Sequence, residues 1–444
     1  MPRAPEMVLT GGTVVTRDGI HRADIAIRDG TIAGIGREAR GGQKLDITGL
    51  TVLPGVIDSQ VHFREPGHEQ KENLESGTRA ALLGGVCSVF EMPNTAPPTT
   101  TAEALDDKFR RARGRAWVDH AFFIGASPDN IEELAELERL PGCTGVKIFM
   151  GSSTGTLLVP DDKSLARVLA SGTRRCAIHA EDEDRLNERK ALITDGASVE
   201  IHPEVRDPVS ALRATRRILE LARAAGRPVH VLHISTADEL PLLAAAKDIA
   251  TAETTPNHLT LTAPQCYREL GALAQMNPPV RDQAHQDALW EQGIRGGVID
   301  VIGSDHAPHT LEEKALPYPQ SPSGMPGTQT LLPVMLDHVH RGRLTLERLA
   351  ELASWMPARI YGASRKGALA VGYDADLTIV DLNATRTIRN DWIASPAGWT
   401  PFDGKTVHGW PIMTMIRGRV AMREDEVLGS PMGQPVTFET DTDD

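Results

Sequence analysis

The sequence contains little of what several large classes of protein require. Only four of its 444 residues are cysteine, at positions 87, 143, 176 and 266, and no two form a CxxC pair. Such scattered thiols predict neither a disulfide framework nor a thiolate metal site. No apolar run approaches the roughly 20 residues of a membrane span, and the N-terminus lacks the pattern of a signal peptide. We therefore expect a cytoplasmic protein.

An excess of positive charge is also missing. Lys and Arg total 47 against 60 Asp and Glu, and the formal net charge is −13. A general nucleic-acid-binding protein would need a basic surface, so we expect neither a nucleic-acid partner nor a membrane partner. A small anionic substrate remains compatible with this charge, because one local arginine can override the overall field.

The chain is predicted to consist of β-rich ends around a long α/β middle. Short alternating runs with Asp-Gly turns fill residues 1–55 and return in residues 363–444, which predicts one small β-sandwich domain formed by both ends. Residues 56–362 alternate Val/Ile-rich runs with amphipathic segments, the pattern of parallel βαβ units. Polar residues end several successive strands, and this favours a (β/α)8 TIM-like barrel, in which those ends meet at one mouth.

Four clusters of polar residues at these predicted strand ends carry groups that ligate metals or bind anions. The clusters are Gln60, His62 and Arg64; Lys147; His179 and His233; and Asp305 with His309. Each cluster alone has an ordinary structural interpretation. Together, imidazoles and one carboxylate on converging strand ends are the donors that a divalent cation such as zinc prefers.

Lys147 requires a separate argument, because an ammonium group cannot ligate a metal. Burial beside cations would lower the pKa of its side chain toward the neutral amine. A neutral amine can add carbon dioxide to give a carbamate, whose two oxygens can bridge two cations. A pair of cations can share a hydroxide nucleophile while one of them polarises the substrate carbonyl. We therefore hypothesise from the sequence that Lys147 is carbamylated.

These motifs together resemble the amidohydrolase superfamily and, more narrowly, its class I-type dihydroorotases. The resemblance rests on PGVIDSQVHFREPG, EMPNT, GVKIFMG, the two strand-end histidines, MNPPVR and GSDHAPH. It covers nearly the whole chain, and the combination is far more specific than any single motif.

The resemblance implies a role for each matched residue. The implied metal ligands, for one or two Zn2+ ions, are His62, Lys147, His179, His233 and Asp305. The implied substrate ligands are Arg64, Asn94, Asn277 and His309. Asp305 is also the implied general base and acid. The implied reaction is the reversible hydrolysis of (S)-dihydroorotate to N-carbamoyl-L-aspartate by metal-activated hydroxide, a step of de novo pyrimidine biosynthesis. A homodimer and an association with aspartate carbamoyltransferase are further expectations.

Gln60 departs from the family pattern, which has histidine at this position. A neutral amide oxygen is a poorer zinc ligand than imidazole, so a weakly held second metal, a single metal and lost catalysis all stay open. We expect one firm and one labile metal. The rival functions are an allantoinase-like or hydantoinase-like cyclic amidase, whose substrates lack the ring carboxylate, and a non-catalytic dihydroorotase-like scaffold for aspartate carbamoyltransferase.

Two further expectations concern residues outside the motifs. The histidines at 120, 202, 230 and 258 are predicted to be structural, and His230 is predicted to point away from the face that carries His233 on the same strand. The Gly- and Pro-containing loop 323–327 is expected to close over the substrate ring.

Overall fold

The computed structural model describes residues 4–36, 41–153 and 157–439. The strands are β1 Met7–Thr10, β2 Thr13–Thr16, β3 Gly19–Arg22, β4 Asp24–Arg28, β5 Thr31–Gly36, β6 Gln43–Asp46, β7 Thr51–Pro54, β8 Val56–Val61, β9 Val86–Glu91, β10 Asp119–Gly125, β11 Cys143–Phe149, β12 Cys176–His179, β13 Val229–Val231, β14 Ala250–Thr254, β15 Val301–Ile302, β16 Leu377–Thr387, β17 Thr406–Ile416, β18 Arg419–Arg423 and β19 Glu426–Val427.

The α-helices lie mainly between the middle strands. They are α1 Leu74–Leu83, α2 Ala102–Ala112, α3 Leu134–Leu137, α4 Asp162–Ala170, α5 Glu183–Arg189, α6 His202–Val205, α7 Pro208–Ala225, α8 Leu240–Ala244, α9 Pro256–Thr260, α10 Gln265–Leu270, α11 Gln283–Ala288, α12 Leu311–Lys314, α13 Leu331–His340, α14 Leu346–Ala350 and α15 Met356–Tyr361. None of the described helices combines the length and the apolar composition needed to cross a bilayer.

The middle of the chain forms the predicted (β/α)8 barrel. Strands β8 to β15 are neighbours in chain order, and every adjacent pair is parallel. A bridge between Val61 and His306 joins the first strand to the segment after the last one and brings the ring to closure. The strands β8 to β12 are buried along their whole length, because helices cover the outside and side chains fill the inside.

Local sequence explains the best-formed helix of the ring. The side chain of Asp207 accepts a hydrogen bond from the backbone of Ser210 and so caps the start of α7, and Gly226, with φ of 66°, ends it. Between these caps, alanine and leucine-type residues on one face are buried against the strands. The segment before this helix carries side chains that reach the candidate site.

The floor of the barrel is closed by residues from the far end of the chain. The ring of Tyr361 packs edge-on against Phe90, Phe123 and His230 inside the strands, and Phe438 packs against Phe90. Part of the predicted sandwich segment 363–444 thus lies in the barrel.

The position of His230 shows that the prediction of its orientation was wrong, since it faces the interior as His233 does. His233 follows the end of β13, and its φ of 40° breaks the alternation.

The two chain ends build the predicted β-sandwich. One sheet has the order β19-β18-β17-β16-β7-β2-β3 and so combines strands from both ends, while β5-β4-β1-β6 forms a second sheet. Buried aliphatic side chains from both sheets, among them Leu9, Ile25, Val52, Leu377 and Met413, form one shared core. The exact domain boundaries at residues 55 and 362 stay a prediction.

Candidate metal centre and substrate site

The carboxyl ends of the barrel strands surround a small, partly open cavity. The five implied metal ligands line it, together with Gln60, the predicted weak ligand, and one predicted substrate residue. They are Gln60, His62, Lys147, His179, His233, Asp305 and Asn277. Because these residues come from the ends of six strands and the segments beyond them, the barrel brings together what the sequence separates by more than 200 positions.

One side of the cavity holds a pair of imidazoles that face each other. His179 Nδ1 lies 3.1 Å from His233 Nε2, and His179 Nε2 lies 2.8 Å from the carboxylate of Glu181. Arg206 binds the same carboxylate, and although burial opposes ionisation, Arg206 and His179 hold the pKa of Glu181 well below its usual range. An ionised Glu181 requires a hydrogen on Nε2 of His179, so Nδ1 presents a lone pair to His233.

The opposite side holds a second nitrogen–oxygen pair. His62 Nδ1 lies 2.6 Å from Asn94 Oδ1, and His62 Nε2 lies 3.3 Å from Asp305 Oδ1. Since an amide oxygen can only accept, Nδ1 carries the hydrogen. Burial lowers the pKa of His62, and the neutral ring then directs a lone pair from Nε2 at a carboxylate oxygen. Two lone pairs at this distance need a cation or a proton between them.

Gln60 adds a neutral donor to this second side. Its Nε2 donates to Asp305 Oδ1 at 3.0 Å. Among the described residues, its buried Oε1 has no hydrogen-bond partner. The amide therefore offers one oxygen that could ligate a metal weakly. Its nitrogen already donates a hydrogen bond to one carboxylate oxygen of Asp305.

Lys147 lies between the two sides on β11 and is 1% exposed. Burial lowers the pKa of Lys147 to about 7, against the opposing effect of Asp305 and Glu253. Its Nζ lies 4.6 Å from the centre of the Phe149 ring, and no described carboxylate forms an ion pair with it. An amine with this pKa is partly unprotonated near neutral pH, which is the state that can react with carbon dioxide.

Three residues of the site have strained backbone conformations. Arg64, His233 and Asp305 have φ of 62°, 40° and 49°, in the left-handed region that residues other than glycine rarely adopt. Each follows the end of a barrel strand, where the chain turns out of the ladder. Strain of this kind persists only where the surrounding structure imposes it, and it clusters at functional sites.

A group of predicted anion ligands adjoins the cavity. Arg64 is 4% exposed, donates from Nε to the carbonyl of Pro308 at 3.2 Å, and places Nη2 3.3 Å from His309 Nε2. No described carboxylate forms an ion pair with its guanidinium group. Burial lowers the pKa of Arg64 to about 10, so the group is still charged at neutral pH. Asp305, Glu313, Glu91 and Glu72 stabilise this charge only from a distance, so a ligand carboxylate in direct contact would add a favourable ion pair.

Asn277 and the loop 323–327 complete the wall. Asn277 Oδ1 lies 3.1 Å from His202 Nε2, which places one of the histidines predicted to be structural directly behind a site residue. Ser323 and Gly324 line the cavity, and the backbone of Gly324 donates to Gln275 at 2.9 Å. A Cβ at Gly324 would lie 2.3 Å from the carbonyl oxygen of Ala307. The loop is thus held in the wall, and its closing over a ring stays a prediction.

The donor set satisfies the requirements of a divalent metal. Imidazole lone pairs from His179 and His62 point into the cavity, Asp305 supplies a carboxylate, and Lys147 can supply a carbamate. Sequence reasoning missed Glu181, which positions His179. A usable signal existed, because a carboxylate two residues after a strand-end histidine lies on the same face of an extended segment.

A second group of acidic residues resembles a metal site but already contains a cation. Asp119, Asp374 and Asp376 lie close together at the amino-terminal end of the barrel. The ammonium of Lys366 lies 2.6 Å from Asp119, 2.6 Å from Asp376 and 2.9 Å from Asp374. This lysine takes the place that a metal would need, and the cluster joins β10 of the barrel to the C-terminal strands.

Comparison with known proteins shows the family of the chain. Residues 51–421 match the model of the amidohydrolase family. A dihydroorotase of Methanosarcina acetivorans is 37% identical over 96% of this chain and 94% of its own length. An allantoinase of Rubrobacter xylanophilus is 36% identical over 97% of both. The solved structure of an L-hydantoinase (dihydropyrimidinase) from Arthrobacter aurescens superposes with a TM-score of 0.92, at 32% identity over 97% of this chain and 99% of that one.

The barrel, its donor set and these relatives define a metal-dependent hydrolase of cyclic amides. The chain belongs to the amidohydrolase family, as its motifs predicted. Overall identity does not separate the dihydroorotases from the allantoinases, since the two relatives differ by one percentage point. The choice among their substrates depends on the residues of the site.

Proposed function

We propose that this protein is a dihydroorotase, which hydrolyses (S)-dihydroorotate reversibly to N-carbamoyl-L-aspartate in pyrimidine synthesis. The observation that carries the proposal is the buried guanidinium of Arg64, which has no carboxylate partner among the described residues and lies beside the metal donors. A guanidinium group binds a carboxylate through two parallel hydrogen bonds. Dihydroorotate carries such a carboxylate on its ring, whereas hydantoin and allantoin do not.

The remaining residues of the group suit the same ligand. Arg64 Nη2 and His309 Nε2 lie 3.3 Å apart, close enough for both to donate to one carboxylate. Asn94 is held against His62 at 2.6 Å, so it links this group to the metal donors. In the proposal, Arg64, Asn94 and His309 orient the substrate carboxylate, and Asn277 lines the ring.

Asp305 is the proposed general base and acid. Its Oδ1 lies near both Gln60 Nε2 and His62 Nε2, which fixes the carboxylate on the side of the cavity that carries these two residues. From this position it can take a proton from the attacking water and return it to the departing ring nitrogen. When bound, one or two Zn2+ ions would supply an activated water and Lewis acidity at the ring carbonyl.

The two sides of the site are proposed to differ in metal affinity. On one side, His179 faces His233 and is supported by Glu181, and such an outer hydrogen bond strengthens a metal ligand. On the other side, Gln60 replaces an imidazole with a neutral amide. We therefore expect one firmly held ion near His179 and a labile one near Gln60.

The direct test is turnover of dihydroorotate by purified, zinc-supplemented protein, with N-carbamoyl-L-aspartate identified as the product. Allantoin and hydantoin serve as competing substrates on the same preparation. Asp305→Asn, which keeps the shape of the side chain, is expected to lower kcat at least a hundredfold. If the protein hydrolysed allantoin or hydantoin but not dihydroorotate, the proposal would be wrong. The protein would then be a cyclic amidase whose substrate lacks a carboxylate.

A neutral-ring amidase is the second candidate, and the L-hydantoinase structure and the allantoinase sequence favour it. That candidate leaves Arg64 without a direct carboxylate partner when substrate is bound. A non-catalytic scaffold for aspartate carbamoyltransferase has Gln60 alone in its favour, because every other donor position is filled. The homodimer, the carbamoyltransferase association and the cytoplasmic location remain expectations of the sequence.

A further inference from the structure

Lys71, which no sequence motif singled out, lies against the proposed carboxylate site. The loop after β8 folds back through two backbone hydrogen bonds, from His68 to the carbonyl of Arg64 at 3.0 Å and from Lys71 to the carbonyl of His68 at 2.9 Å. This returns the lysine side chain toward the arginine, and only 13% of it is exposed.

The ammonium of Lys71 contacts one ring nitrogen of His309. Its Nζ lies 3.3 Å from Nδ1 and 2.8 Å from Glu313 Oε1. Glu313 is itself fixed, because its other oxygen accepts a hydrogen bond from the backbone of Thr310 at 3.1 Å. Lys71 is therefore held in place from the side opposite to the cavity.

This contact determines which nitrogen of His309 carries the hydrogen. An ammonium group can only donate, so Nδ1 must accept from Lys71 with its lone pair. The alternative, an Nδ1–H donated to Glu313, would span 3.6 Å, beyond hydrogen-bond length. The hydrogen therefore lies on Nε2, which faces the carbonyl of Ser323 at 3.1 Å.

The consequence appears on the cavity side of the ring. Nε2–H of His309 and Nη2 of Arg64 are both donors and lie 3.3 Å apart, so they cannot bind each other. An anion that approached both groups could accept from Nη2 of Arg64 and, in place of the Ser323 carbonyl, from Nε2–H of His309. Ser323, the present acceptor for Nε2, belongs to the cavity wall.

We propose that Lys71 is a positioning residue that makes His309 a hydrogen-bond donor and so selects a substrate with a carboxylate. The proposal rests on the proposed function, since it takes Arg64 and His309 as the residues that hold that carboxylate. Without Lys71, the Nδ1–H form becomes accessible, and Nε2 would then direct a lone pair at the substrate anion. The added positive charge beside the site also disappears.

The test compares Lys71→Met with Lys71→Arg, using dihydroorotate and the neutral ring hydantoin as substrates. Lys71→Met is expected to raise KM for dihydroorotate about tenfold, the effect of one lost charge-assisted hydrogen bond, with kcat little changed. Kinetic constants for hydantoin are expected to stay the same, and Lys71→Arg is expected to restore most of the affinity. Lys163→Met, at an exposed position on α4, is the matched control.

A second measurement does not depend on turnover. Spectra of 15N-histidine-labelled protein identify the protonated nitrogen of His309, whose signal is assigned by its loss in His309→Asn. The hydrogen is expected on Nε2 in the wild type, and an Nδ1–H population is expected in Lys71→Met. Lys71→Leu, which also lacks a donor, provides the same comparison if the methionine variant does not fold.

The outcomes separate the two proposals. If the wild type does not turn over dihydroorotate, the proposed function fails and the role of Lys71 fails with it. If the wild type does, but Lys71→Met leaves KM for dihydroorotate unchanged or alters both substrates equally, only the role of Lys71 is overturned. An unchanged tautomer in Lys71→Met would overturn it as well.

Discussion

Gln60 donates a hydrogen bond from Nε2 to Oδ1 of Asp305 at 3.0 Å. The same oxygen lies 3.3 Å from His62 Nε2, so the amide donates to a carboxylate oxygen that faces a proposed metal ligand. A hydrogen bond can hold Asp305 in position where a second cation would otherwise be needed. The replacement of the usual histidine is thus compatible with a functional site.

The metal content of the protein tests this relationship. After exhaustive dialysis, the wild type is expected to retain about one zinc ion per chain, because only the side with His179 and His233 offers two imidazoles. Gln60→His is expected to raise the content toward two. Elemental analysis of both proteins from parallel preparations provides the measurement. Two full-occupancy ions in the dialysed wild type would contradict the account.

Much of the site could be predicted because strand periodicity and convergence are simple rules. Alternation on β8 placed Gln60 and His62 together, and the barrel brought Lys147 and Asp305 to the same cavity. The rule failed at His230 and His233, because it assumes a regular strand and His233 has a φ of 40°. No local pattern indicates that Phe438 enters the barrel, since that contact depends on how the whole chain closes.

Glu181 is expected to control the metal affinity of His179. In Glu181→Gln, the neutral amide no longer fixes the hydrogen on Nε2 of His179, and zinc affinity is expected to fall about 10- to 100-fold. Competition with a chromophoric chelator measures the zinc affinity of the protein in the absence of substrate. Glu188→Gln, at a largely exposed position on α5, is the control. Equal affinities in the two variants would remove Glu181 from the account.

Carbamylation of Lys147 can be observed directly with 13C-bicarbonate. A carbamate resonance is expected in the wild type and in Lys314→Met, and it is expected to disappear in Lys147→Met. Lys314 is a matched control because burial lowers its pKa to about 7 as well, yet its Nζ already donates to the carbonyls of Gln275, Pro322 and Gly324. A carbamate that survives in Lys147→Met would show that another amine reacts.

Lys366 is expected to stabilise the junction between the barrel and the C-terminal strands. Lys366→Met would leave Asp119, Asp374 and Asp376 buried with their central cation removed, which typically costs about 3–5 kcal/mol. The midpoint of thermal unfolding should fall by several degrees, while the exposed Lys163→Met should change little. If added Mg2+ or Ca2+ stabilised the wild type through this cluster, the assignment of Lys366 as its cation would be wrong.

The central claim is that the buried charge of Arg64 selects a carboxylate-bearing ring. The most direct measurement is kcat/KM for dihydroorotate and for hydantoin in the wild type and in Arg64→Met. We predict that the wild type prefers dihydroorotate, and that the substitution lowers kcat/KM for dihydroorotate at least a hundredfold while hydantoin is unaffected or improved. A wild type that prefers hydantoin, or an Arg64→Met variant that loses both activities equally, would contradict the account.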